Sequence, residues 1–172
     1  MSAPDSSPPA VPPVVLTSAQ PDDERFMRLA LEEADLAAFE GEIPIGAVAV
    51  RDGEVIARAH NRRESDRDPT AHAEIIAIQA AARALNAWRL SGVTLFVTLE
   101  PCSMCAGALV LARVDRVVFA TSDPKAGAAG SLMNLLQDDR LNHRAALTSG
   151  VLAGESREKI QNFFRALRRK LV

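Results

Sequence analysis

The spacing of apolar residues along the chain changes period several times, and each change marks an element. Over residues 22–38, Phe26, Leu29, Ala30, Glu33 and Ala34 recur at helical spacing and predict an amphipathic helix. Two short apolar runs, IPIGAVAV (43–50) and EVIARAH (54–60), flank Arg51-Asp52-Gly53 and predict a β-hairpin closed by a Gly-containing turn. Residues 61–69 read as a charged loop, after which Thr70 is placed to cap a helix running to about Asn86. VTLFVTL (93–99) predicts a buried strand, and Pro101 suits the first turn of an apolar helix over 102–113. DRVVFAT (115–121) is a further strand, parallel to its predecessor because a helical crossover joins them. A Gly-rich loop (123–132), a short helix, a weak strand over 146–151 and a basic helix complete the chain. This order predicts an α/β fold, a three-layer α/β/α sandwich with a central five-stranded mixed sheet. There are no internal repeats.

Composition adds limits. A chain of 172 residues, 48% hydrophobic and 24% charged, fits one domain able to bury a real core without disulfides. No apolar run approaches the roughly 18 residues of a membrane span. The first 20 residues hold five prolines and no lysine or arginine, so they read as a disordered Pro-rich extension, unlike a signal peptide. The single domain is expected over 21–172, in the cytoplasm. Net charge is −2, without a global basic field. Locally, however, Arg157, Lys159, Arg165, Arg168, Arg169 and Lys170 stand against Glu158 alone, a helix able to meet phosphates or simply a solvated face.

The candidate chemistry lies in two stretches, TAHAEIIAI (70–78) and LEPCSMCAG (99–107). Cys102 and Cys105 are the chain's two cysteines, spaced i, i+3 at a helix start, where free N–H groups and the helix dipole favour thiolates. That spacing fits a metal site, a redox pair or buried thiols. A tetrahedral zinc needs more ligands, and of His60, His72 and His143 only His72 stands at a second helix start. His72 and Glu74 point about 200° apart around a helix, so both reach only a site beyond its N-terminal end. Three protein ligands would leave the fourth position to water, with Glu74 as the carboxylate that moves protons. H-x-E…P-C-x-x-C is the signature of zinc-dependent nucleobase deaminases.

IPIGAVAV, HNR, DPTAHAEI, LFVTLEPCSMCAGA, RVVFA, DPKAGAAGSLMNLL, LNHR, GVLA and FFRALRR occur in the order seen in bacterial tRNA-specific adenosine deaminases. The chain resembles that family from about Phe26 to Arg169. The resemblance implies a cytidine deaminase-like fold and a homodimer. It implies one Zn2+ per subunit on His72, Cys102 and Cys105. Glu74 is then the acid/base in hydrolysis of the wobble adenosine (position 34) of an anticodon stem-loop, an arginine tRNA above all, to inosine; a guanine- or cytosine-type small-molecule deaminase is the alternative. It further implies that Asn61 bonds the base or ribose, that Ile45 and Leu99 line the pocket, and that the Ala73 N–H reads the base edge. Asp123, Lys125, Asn142, His143, Arg144, Phe163, Phe164, Arg165, Arg168 and Arg169 are implied in RNA contact. Ala126 stands where relatives often carry threonine.

Overall fold

The computed structural model of the chain describes residues 13–170. Five strands form one sheet in the order β2-β1-β3-β4-β5, comprising β1 (Gly46–Arg51), β2 (Glu54–His60), β3 (Val93–Leu99), β4 (Arg116–Thr121) and β5 (Ala146–Ser149). β1 runs antiparallel to both β2 and β3, whereas β3, β4 and β5 are mutually parallel, so the sheet is mixed as its sequence predicts. Asp52 and Gly53 both take positive φ, the two-residue turn whose twist suits a hairpin.

The period-2 pattern of the strands sorts the core into two layers. Ala47, Ala49, Leu95, Val97, Val117 and Phe119 face α3 (Ala73–Ala84) and α4 (Ser103–Leu111). Val48, Val50, Phe96, Val118 and Ala120 face α1 (Asp23–Phe39), with Val151 from the approach to α5 (Ala153–Lys170) in the same cluster. β4 is buried along its whole length, as expected of a parallel strand covered on both faces. Beneath α1, Asp23 makes a buried double hydrogen bond with Arg116 (2.7 and 2.6 Å), and Arg116 also donates to Thr148 Oγ1 (2.7 Å).

Two expectations are corrected, and part of a third lies outside the described residues. Thr70 does not cap α3; both its N–H and its hydroxyl donate to Asp68 Oδ1, and His72 occupies the N-cap position. The loop over 61–69 contains a one-turn helix, α2 (Arg63–Asp66). The extension expected to be disordered over 1–20 lies outside the described residues at 1–12, but beyond them it is placed along the edge of the sheet. Leu16 bridges Leu147, the Thr17 N–H donates to Leu147 O (2.6 Å), and Gln137 exchanges hydrogen bonds with the Val15 backbone. The cause is the open edge of β5, whose unpaired backbone groups need a partner.

Candidate active site

Both halves of the site are helix starts. His72 is the N-cap of α3 and Cys102 that of α4, both in extended conformation, and neither side chain caps its helix. Their side chains are therefore available beyond the helix ends. β3 delivers the second start, because Leu99 leads through Glu100 and Pro101 into Cys102. The site thus lies past the carboxyl ends of the parallel strands, where open α/β sheets bind ligands.

His72, Cys102 and Cys105 have ligand atoms all within 4.8 Å of one another. His72 Nδ1 is 3.7 Å from Cys102 Sγ and 3.5 Å from Cys105 Sγ. Ligands of a tetrahedral zinc, with Zn–S about 2.3 Å and Zn–N about 2.0–2.1 Å, stand roughly 3.6 Å apart. The donor set and its spacing therefore fit such an ion. In the chain alone, the Cys102 thiol is pulled down to about 4, first by its hydrogen bond with Cys105 and further by His72, against the opposing effect of burial. Cys105 is pushed far up, first by that same hydrogen bond and then by burial and the nearby Glu74 charge. His72 is raised, mainly by its hydrogen bond to Cys102. Glu74 is 4% exposed, and burial pushes its carboxyl up against the lowering effect of its own backbone N–H and of His72.

These groups open into a cavity of about 680 Å³. Its lining brings together the expected His72, Glu74, Cys102, Ile45, Leu99, Asp123, Lys125 and Phe164. An adjoining depression of about 480 Å³ shares Lys125 and Phe164 and adds Arg165 and Arg168. Phe163 packs edge-on against Phe164, with ring centroids 5.5 Å apart. Ala73 is buried at the first helical position of α3, where its N–H has no intrahelical acceptor.

Other expected residues are placed elsewhere. Asn61 is buried outside the lining, and its amide donates to Glu42 Oε2 (3.1 Å). Asn142 accepts from Arg113 (2.8 Å) and His143 Nε2 bonds Val114 O (2.7 Å), so this segment sits at the opposite end of α4 from Cys102; Arg144 is exposed. The lining also contains Arg157, expected only as part of the basic helix, and Ile43, Arg63, Glu100, Ile160 and Gln161, for which the sequence predicts no role. One signal was present for the last two. Positions 157, 160, 161, 164 and 168 share one face at helical spacing.

A His/Cys/Cys cluster beside a buried carboxylate, at the carboxyl end of this mixed sheet, defines a deaminase of the cytidine deaminase-like fold. The chain matches a family model described as MafB19-like deaminase over residues 21–168. It is 56% identical over 148 residues to a tRNA-specific adenosine deaminase of Bacillus subtilis (strain 168), covering 86% of this chain and 92% of the relative. A tRNA-specific adenosine deaminase of Aquifex aeolicus (strain VF5) is 46% identical over 87% of this chain and 98% of its own. A solved structure from work on A-to-I editing by tRNA:A34 deaminases superposes with a TM-score of 0.76 at 47% identity, covering 78% of this chain and 98% of that one. A guanine deaminase from Bacillus subtilis superposes less well, with a TM-score of 0.57 at 40% identity over 62% of this chain and 69% of its own. The chain belongs to the tRNA-specific adenosine deaminases.

Proposed function

We propose that this chain hydrolyses the wobble adenosine (position 34) of a tRNA anticodon to inosine and ammonia, using one zinc ion held by His72, Cys102 and Cys105. The observation that carries the reading is the cavity itself: His72, Cys102 and the buried Glu74 carboxyl in its lining with Cys105 packed against them, and a basic and aromatic helix along its mouth.

When bound by His72, Cys102 and Cys105, zinc would supply the Lewis acidity that brings the pKa of an attacking water toward neutrality. Glu74 moves the protons. Its carboxylate takes one from the attacking water and delivers it to N1 of the adenine, while the water oxygen bonds C6. It then carries the remaining hydroxyl proton to the amino group, the C6–N bond breaks, and ammonia leaves with inosine behind. A carboxyl raised by burial suits this double role near neutral pH.

Ile45 and Leu99 pack the base, and the Ala73 N–H reads its edge. Asn61, its amide nitrogen engaged by Glu42, has its amide oxygen for the base or ribose. A nucleotide must leave its stack to enter such a pocket. Asp123 and Lys125 meet the flanking nucleotides, Phe163 and Phe164 offer a stacking surface, and Arg165 and Arg168 meet phosphates. Asn142, His143 and Arg144 would meet RNA only outside the pocket. We further propose a homodimer acting in the cytoplasm on an arginine tRNA. The exposed Leu111 at the end of α4 supports a partner surface there, and among the described residues no helix is long and apolar enough to cross a membrane.

The guanine deaminase neighbour favours a second reading, activity on a free base. Ammonia release separates the two. An anticodon stem-loop carrying A34 is the expected substrate; release from free guanine, cytosine or adenosine alone would replace the tRNA reading.

A further inference from the structure

We propose that Glu100 is a positioning residue for the substrate: its carboxylate holds the loop over 123–131 as a wall of the active-site cavity, and through that loop sets the grip on nucleotides flanking the target base. The nature of what is gripped rests on the tRNA reading above.

Glu100 is 3% exposed, and among the described residues it forms no ion pair with a basic side chain. Its carboxylate is spent on a single loop. Oε2 accepts from the Asp123 N–H (2.9 Å) and the Ser131 hydroxyl; Oε1 accepts from the Ala129 and Ser131 N–H groups (3.0 Å each). Four donors divide two to each oxygen, a demand that a carboxylate with about four lone-pair sites meets. A glutamine has one such oxygen, and its NH2 would confront two donors.

Gly127 completes the arrangement. A Cβ there would collide with the Glu100 carboxyl group and lie 2.6 Å from Asp123 O. Its φ is not in the left-handed region, so what the glycine provides is room for Glu100. The loop is also stitched to the metal-bearing segment, since the Ala128 N–H donates to Pro101 O (2.8 Å) and Gly127 bridges Cys102. Its outward side chains, Asp123, Pro124, Lys125 and Ala126, line the cavity. Glu100, Pro101 and Cys102 are consecutive, and Pro101 has a fixed φ. The distance from ligand to loop is therefore set within three residues. Such preorganisation lowers the ordering cost of binding.

The test uses the zinc-loaded full chain and an A34 anticodon stem-loop. Glu100→Gln is expected to keep one zinc per chain, to raise KM about tenfold or more for the lost charged hydrogen bonds, and to hold kcat within about threefold, the split of an interaction lost equally in ground and transition states. Gly127→Ala should reproduce this shift, and it carries the test should Glu100→Gln fail to fold. Because Glu100 acts through the loop, its effect on KM should shrink in a Lys125→Ala background; the two factors multiplying in full would overturn the proposal. So would an unchanged KM, a loss confined to kcat, or a loss of zinc. Amide hydrogen exchange separates this idea from the tRNA reading. Should the wild-type chain leave the stem-loop untouched, faster exchange at Asp123, Ala129 and Ser131 in Glu100→Gln would still uphold the held loop, and unchanged exchange would remove it.

Discussion

At the scale of single residues, the proposed reaction divides its labour between Glu74 and the three candidate ligands His72, Cys102 and Cys105. Glu74 sits in the first turn of α3 beside the Cys105 thiol, buried, with its carboxyl raised. Glu74→Gln keeps the volume and removes the proton carrier. General acid–base catalysis contributes about 10²–10⁴-fold, so inosine formation should fall by at least about 10²-fold. Zinc content by elemental analysis should stay at one per chain. A Glu74→Gln protein that forms inosine at the wild-type rate would remove Glu74 as the proton carrier. Cys105→Ser acts on the other half. It removes a buried sulfur from a cluster whose atoms lie within 4.8 Å, so metal and turnover should disappear together. Chelation of the wild-type chain should do the same reversibly, with activity returning on added zinc; a thiol oxidoreductase would not need the metal.

At the scale of elements, the Asp23–Arg116 pair ties the start of α1 to β4 and, through Thr148, to β5. Burial pushes the Asp23 carboxyl up, but the Arg116 hydrogen bond, the Gln20 N–H and the Arg116 charge outweigh it, and the net shift is downward. A lowered folded pKa contributes stability that is fully present above the unfolded value, near 3.9, and is lost as pH falls through the lower folded value. Asp23→Asn should therefore flatten the acid limb of the stability curve below about pH 4. Breaking a buried pair on one side costs about 3–5 kcal/mol, which denaturant unfolding at neutral pH would read. Most elements of this clasp, and of the sheet, were legible from period-2 and helical spacing because each is a local pattern. The spacing of His72 and Glu74 pointed to a site beyond a helix end, and the His72, Cys102 and Cys105 side chains gather beyond the starts of α3 and α4. Partnerships across the fold were not legible. Thr70 has the chemistry of an N-cap, yet Asp68 takes its hydroxyl. Glu42 and Glu100 look like ordinary surface carboxylates in sequence, and only the packing of distant segments buries them against Asn61 and the 123–131 loop. Val15 and Leu16 lie in a Pro-rich stretch whose composition says nothing of the β5 edge they meet.

At the scale of the whole molecule, the proposed reaction asks a slightly acidic protein to meet a polyanion through one local surface. Lys125, Arg165 and Arg168 gather around the depression that continues the cavity, while net charge stays at −2. Binding carried by a few phosphate contacts is salt-dependent in proportion to their number. Arg168→Ala should weaken stem-loop binding and lower the slope of log K against log salt by about 1, with little change among stem-loop sequences. An unchanged slope would place Arg168 outside the RNA contact. The proposed reaction joins the floor of the cavity to the mouth formed by Lys125, Arg165 and Arg168 at one nucleotide. Sequencing of a tRNA pool treated with the zinc-loaded chain measures that join most directly. Conversion of A to I is expected at position 34 alone, in tRNAs that carry A there; conversion spread over many adenosines, or none alongside ammonia release from a free base, would contradict the proposed reaction.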